Sequence, residues 1–117
     1  MGQKLLSILQ VNKSMTDFER IKRWIENGKQ LGHVFSFKNG GKIFWSSVGI
    51  QKWQDYYKVY VDEIEEDKMS AEDYVRDEIK KFNSLSDAIE FIKNNTKINI
   101  NDLTPCKGQK IFNPKFE

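Results

Sequence analysis

Apolar residues first recur with a clear period between residues 15 and 29. They fall at helical spacing, at Phe18, Ile21, Trp24 and Ile25. Ser14 followed by Asp17 is a variant of the capping box that begins many helices. The pattern predicts an amphipathic helix over 15–29 with its apolar side chains in the core. Residues 1–13 carry a short apolar group whose period fits either a helix or a buried strand.

From His33 the period changes to two, which is typical of strands. Residues 34–38 and 42–46 both alternate, and they flank Asn39-Gly40-Gly41. Gly reaches positive φ without steric cost and Asn tolerates it, so this stretch predicts a tight hairpin turn.

Two more strands are predicted on either side of the polar stretch 65–73. The first, residues 56–61, is rich in Tyr and Val, and the second, Tyr74 to Phe82, alternates apolar and charged residues. The stretch between them is then the loop of a second hairpin. A helix over 70–81 is the alternative, because Ala71, Val75 and Ile79 are spaced four apart.

Ser84 and Asp87 form another capping-box variant, followed by a helical stripe that extends to about Asn95. Residues 97–117 have few periodic signals and are expected to be an irregular tail. Together the elements predict an α+β fold with an N-terminal helical region, an antiparallel meander of about four strands, a short C-terminal helix and an extended tail. The helices would cover one face of the sheet. A length of 117 residues fits one domain, 1–117.

The composition indicates a globular protein in a reducing compartment. Hydrophobic residues make up 38% and charged residues 31%, and Cys106 is the single cysteine, so no intramolecular disulfide forms. The first residues lack the continuous apolar region and cleavage site of a signal peptide, and no run is long enough to span a membrane. We expect a cytoplasmic protein that does not bind membranes.

Charge is distributed very unevenly along the chain. Residues 62–78, here called the acidic segment, hold nine of the seventeen Asp and Glu residues, with only Lys68 and Arg76 as basic residues. The segment therefore carries about −7 and the rest of the chain about +9, for a net charge of +2. Such asymmetry steers association with charged partners.

The sequence offers no catalytic, metal-binding or cofactor-binding constellation. His33 is the only histidine, too few for an ordinary zinc site, and a nucleophilic Cys106 would lack a base. The acids from Asp62 onward lack the Gly and the ligand order of a calcium loop. We therefore expect a protein that is not an enzyme.

The acidic segment and its tyrosines are the candidate partner-binding residues, since Tyr is enriched at interface hot spots. They are Tyr60, Asp62, Glu63, Glu65, Glu66, Asp67, Glu72, Asp73 and Tyr74. The expected partner is a basic protein. The carboxylates would repel phosphate, which disfavours direct nucleic-acid binding. Two copies could also pair through a sheet edge.

The stretch Phe82 to Ile92, in which a strand end leads into a capped helix, resembles the small immunity proteins that protect bacteria from polymorphic or contact-dependent toxins. The order of elements, the acidic segment and the lack of catalytic groups resemble them as well. The resemblance implies a tight complex with a cytosol-acting toxin domain, commonly a basic nuclease, masked by carboxylates that mimic phosphate. Four alternatives remain open: a phage-encoded inhibitor of a nucleic-acid-binding host protein, a small regulatory adaptor, a nucleic-acid-binding protein, and an enzyme with an unrecognised site.

Overall fold

The computed structural model describes residues 16–116, and the open choice between helix and strand for residues 1–13 lies outside them. The elements in chain order are α1 (Thr16–Glu26), β1 (Leu31–Asn39), β2 (Lys42–Trp53), β3 (Tyr56–Glu65), β4 (Tyr74–Phe82), α2 (Leu85–Asn95) and β5 (Thr104–Pro105). The strands form one antiparallel sheet in the order β4-β3-β2-β1-β5. The α+β fold is confirmed, with five strands where the sequence predicted about four.

Local signals account for most of these elements. Gly40 and Gly41, with φ of 61° and 78°, form the two-residue turn that joins β1 to β2, and Asn39 faces Lys42 across it. Ser84 Oγ accepts a hydrogen bond from the Asp87 amide at 3.1 Å and so caps α2. The alternative helix over 70–81 is wrong, because Tyr74–Phe82 is a strand that pairs with β3 from end to end apart from a bulge at Val75.

Both helices pack on one face of the sheet, here called the helix face. Fully buried aliphatic side chains from α1, α2 and the central strands form a single core cluster there, which includes Ile21, Ile25, Val48, Ile50, Val59, Val61, Ala88 and Ile92. The apolar stripe predicted for α1 is correct at Ile21 and Ile25, and Trp24 packs against the cluster. Phe18 was also expected in the core but is 36% exposed, because it lies in the first turn of α1.

The opposite face of the sheet, here called the second face, is partly covered by the C-terminal tail, residues 106–116. A Cβ atom on Gly32 would lie 2.2 Å from Ile111 Cδ1, and one on Gly49 would lie 3.0 Å from the Phe112 ring. Glycine at these two positions therefore lets the tail approach the strands closely. The Phe112 ring also stacks on Tyr60 at 5.7 Å between centroids.

Gln30 holds this tail in place through its buried side chain. Its Oε1 accepts hydrogen bonds from the Ile111 amide at 2.7 Å and the Phe112 amide at 3.4 Å. Its Nε2 donates to the Phe112 carbonyl at 2.9 Å and to Gln51 Oε1 at 2.8 Å. The polar atoms of the Gln30 amide are thus satisfied inside the fold, which a buried amide requires. The sequence predicted an irregular tail here and gave no sign that Gln30 would hold it.

Candidate protein-interaction surface

The second face has a part that the tail leaves uncovered, here called the open half. The strand register places Val34, Ser47, Asp62 and Asp77 in one row across it, and Ser36, Trp45, Ile64 and Tyr74 in the next. Ile43 follows on β2, two residues from Trp45, and so shares this face.

Apolar side chains reach the surface in the open half. Val34 is 54% exposed, Tyr74 is 43% exposed and Ile43 is 37% exposed, whereas Trp45 is half-buried. Singly scattered exposed apolar residues are ordinary, but neighbours on one sheet face form a patch. Trp and Tyr are also the residue types most enriched at binding hot spots.

The fold divides the acidic segment into three groups of carboxylates. Glu63, Glu65 and Glu78 point to the helix face, where Arg76 and Lys42 neutralise them. Arg76 lies 2.8 Å from Glu78 and 3.7 Å from Glu63, and Lys42 lies 3.3 Å from Glu65. The two basic groups thus offset two of these three negative charges.

The second group surrounds Tyr60 on the second face. Asp62 is buried and accepts hydrogen bonds from the Ser47 amide at 2.6 Å and the Tyr60 hydroxyl at 3.1 Å. The same hydroxyl lies 3.0 Å from Asp77 Oδ1. A phenol has one proton and cannot donate to both carboxylates at once. Burial raises the pKa of Asp62, so the charged form of this carboxyl is disfavoured relative to an exposed aspartate.

Burial and the nearby Asp62 charge also raise the pKa of Tyr60, so the phenol keeps its proton at neutral pH. Asp62 and Tyr60, both predicted as partner-binding residues, thus bond mainly to each other and to the fold. Tyr60 is further covered by the Phe112 ring.

The third group is the exposed connection between β3 and β4. It begins with a short 3-10 turn, Glu66–Lys68, and continues through Glu72 and Asp73. Among residues 16–116, no basic side chain lies within ion-pair distance of Glu66, Asp67, Glu72 or Asp73. Among the described residues, these four predicted site residues carry most of the exposed negative charge of the acidic segment that has no ion-pair partner, and Asp77 carries the rest.

A small acidic depression joins this connection to the open half. It has a volume of about 220 Å³ and is lined by Gly41, Lys42, Ile43, Glu65, Glu66 and Asp67. Trp45 Nε1 donates to Glu66 Oε1 at 3.2 Å, which orients that carboxylate beside the apolar patch. Carboxylates in this setting suit the ammonium or guanidinium group of a partner side chain.

Sequence reasoning missed the apolar members of this surface. Val34, Ile43 and Trp45 were assigned to strands, but nothing was inferred about where they point. A signal was present, because Ile43, Phe44 and Trp45 are consecutive apolar residues in a strand. Such a run places large side chains on both faces of a sheet. Those on the second face must therefore be either buried or exposed there.

Other chemistry is sparse in the described part of the chain. Cys106 Sγ lies 3.7 Å from Gln30 Oε1, an amide oxygen that is not a base, and burial raises the pKa of this thiol. In residues 16–116, no group of three or more His, Cys, Asp or Glu side chains is placed to hold a metal ion. None of the helices in that range has the length and apolar character needed to cross a membrane.

Comparison with protein-family models, with curated proteins and with solved structures finds no match to this chain.

Proposed function

We propose that this protein binds a basic protein partner through the open half of the sheet and the adjoining acidic connection. The observation that carries the proposal is the placement of exposed Val34, Ile43 and Tyr74 beside carboxylates that have no ion-pair partner in residues 16–116. Apolar contacts would supply most of the affinity, and the carboxylates would supply steering and orientation. No catalytic role is proposed.

The partner class that fits best is a toxin domain that acts on nucleic acid in the cytoplasm. Such a domain has a basic substrate-binding face, and Glu66 and Asp67 would meet that face where phosphates normally lie. This follows from the resemblance to small immunity proteins together with the exposed acidic connection. A phage-encoded inhibitor of a nucleic-acid-binding host protein would use the same charges, and identification of the partner separates the two.

The first test measures binding kinetics with the partner recovered from the organism that carries this gene. We expect Glu66→Lys with Asp67→Lys to slow association at least about tenfold at low salt, with a smaller change in dissociation. The difference should shrink as salt screens the charges. Glu65 is left unchanged, because its pairing with Lys42 makes it part of the fold.

The matched control reverses two exposed acids on the helices, Glu19→Lys with Glu90→Lys, which changes the net charge equally. We expect this variant to associate almost as fast as the wild-type protein. Equal slowing in both variants would show that only net charge matters, and the proposed surface would be wrong. Tyr74→Ala should instead accelerate dissociation by about tenfold or more, as truncation of a hot-spot residue does.

A sheet edge offers a separate protein contact. β4 is the first strand in the sheet order, and its outer side faces no other strand in residues 16–116. We therefore also propose that two copies pair through this edge. The residues of β4 restrict the strand register in which they can pair.

A further inference from the structure

The outer edge of β4 carries a row of backbone groups that pair with no strand in the described part of the chain. Such an edge is a template for another strand. A bulge lies at its start, where Glu63 pairs with Arg76 and the next residue, Ile64, pairs with Tyr74, so that Val75 is the extra residue. The regular part of the edge therefore runs from Arg76 to Phe82.

Symmetry limits how two copies of this edge can pair. A closed dimer has a two-fold axis, and for antiparallel strands in one continuous sheet the axis is perpendicular to the sheet. Residues directly opposite each other then lie on the same face, so each allowed register is centred on a single residue that meets its own copy. Only a few centres exist between Arg76 and Phe82.

The register centred on Ile79 places opposite charges against each other throughout. Asp77 faces Lys81 of the second copy on the second face, and Glu78 faces Lys80 on the helix face. Each pair occurs twice by symmetry. Ile79 meets its own copy at the axis, and Arg76 faces the Phe82 ring. Opposite charges directly across an antiparallel pair are stabilising, and like charges are destabilising.

The neighbouring registers all bring like charges together. A centre at Glu78 places Glu78 against itself and Arg76 against Lys80. Centres at Asp77, Lys80 and Lys81 each place a charged residue against its own copy. The sequence along this edge thus favours one two-fold register and opposes its neighbours, which is how charged strands select a partner.

Asp77 and Glu78 each use one carboxylate oxygen within the chain, Oδ1 toward Tyr60 and Oε1 toward Arg76, so the second oxygen of each remains available for the contact. Lys80 has no ion pair among the described residues, and Lys81 Nζ lies over the Tyr56 ring at 4.4 Å. We infer that β4 pairs with β4 of a second copy in the register centred on Ile79, which joins two five-stranded sheets into one. The occupant of this edge is a second copy because the charge pattern is complementary to itself.

The decisive experiment is a charge exchange followed by sedimentation equilibrium of the full chain. One variant carries Lys80→Glu and Lys81→Glu, and the other carries Asp77→Lys and Glu78→Lys. Each alone places like charges at all four inter-chain pairs, so we expect its dimer dissociation constant to rise at least about tenfold over the wild-type value. Mixed together, the two variants regain every opposite-charge pair and should form a heterodimer.

A control variant, Lys22→Glu with Lys29→Glu on and beside α1, makes the same change in net charge as Lys80→Glu with Lys81→Glu, but away from the edge. It should dimerise like the wild-type protein, and far-ultraviolet circular dichroism should show all variants folded. A wild-type protein that is monomeric at the highest soluble concentration would overturn the inference. So would a dimer that the edge variants leave unchanged, or a mixture that fails to form the heterodimer.

A crosslink tests the register independently of charge. In a Cys106→Ser background, Ile79→Cys places two thiols opposite each other at the axis, within the Cα separation that a disulfide spans. Mild oxidation should therefore link the two chains. Val75→Cys, which lies far from its own copy in this register, should not form the link. Equal crosslinking of both variants would contradict the register.

Discussion

The two halves of the second face are formed by the same strands, but the tail covers one half and leaves the other exposed. In the covered half, Gly32 and Gly49 leave room for Ile111 and Phe112, and the tail removes the strands from water. In the open half, Val34, Ile43 and Tyr74 carry full side chains that residues 16–116 leave exposed. Side-chain size thus determines where the chain closes on itself and where an apolar surface remains.

This contrast separates stability from recognition within one sheet. Substitutions in the covered half should mainly lower the free energy of unfolding, because they open a packed layer. Substitutions in the open half should change that free energy little and act on binding. Each prediction below tests one part of this separation.

The largest effect is expected for Phe112→Ala. Phe112 is only 8% exposed and stacks on Tyr60, so its truncation should lower the free energy of unfolding by about 3–5 kcal/mol. Val34→Thr in the open half keeps a β-branched side chain and should change the free energy of unfolding by less than about 0.5 kcal/mol. Urea denaturation of both variants measures the difference. Similar losses would mean that the two halves are not distinct.

A smaller loss is expected for Gln30→Leu, which preserves size but removes the amide that holds the tail. The buried Ile111 amide and the Phe112 carbonyl would lose their partner, at a cost of about 2–3 kcal/mol. Hydrogen exchange at the Ile111 amide should accelerate more than exchange in β3. Gln51→Leu removes only one of the Gln30 bonds and is the matched control. If exchange at Ile111 were unchanged, the tail would be held by packing alone.

The smallest effect lies at the boundary between the halves, at Asp62. Its pKa is raised by burial, so the folded state binds this proton more tightly than the unfolded chain. The charged form of Asp62 lowers the free energy of unfolding. This destabilisation is absent below the ordinary pKa of 3.8 and grows as the pH rises through the raised pKa. An Asn at this position can accept from the Ser47 amide and donate to Tyr60, as protonated Asp62 does.

Asp62→Asn should therefore match the wild-type protein near pH 3 and exceed its free energy of unfolding at pH 7 by up to about 1 kcal/mol. Chemical denaturation across this range gives the comparison. Asp67→Asn, in the exposed connection, controls for the loss of one negative charge. The prediction compares the free energy of unfolding of Asp62→Asn minus that of the wild-type protein at two pH values. A smaller difference at pH 7 than at pH 3 would contradict it.

The sequence predicted the elements whose signals are local. The Gly40-Gly41 turn, the Ser84 cap and the alternation of β3 each involve neighbouring residues, so they could be recognised without knowledge of the fold. The choice between helix and strand for 70–81 could not be settled in this way. Val75 fits a helical stripe by spacing, but it is the extra residue of a bulge and is 66% exposed.

The candidate surface was predicted only in part, because its arrangement depends on distant contacts. The acidic residues were visible as a cluster, but the pairing of Glu63 with Arg76 and the burial of Asp62 follow from strand register. Ile111 and Phe112 have no periodic pattern, so the layer that divides the second face was not foreseen. The same is true of β5, which has only two residues.

The contacts of Gln30 also have a consequence for the order of folding. They join residues that are 81 and 82 positions apart, so nearly the whole chain must be present before they form. Closing so long a loop is slow and entropically costly, whereas the β1–β2 hairpin needs only its neighbours. During synthesis, the strands therefore precede the layer that covers them. Until residues 106–116 leave the ribosome, the covered half is exposed like the open half, and a nascent chain presents apolar surface in both.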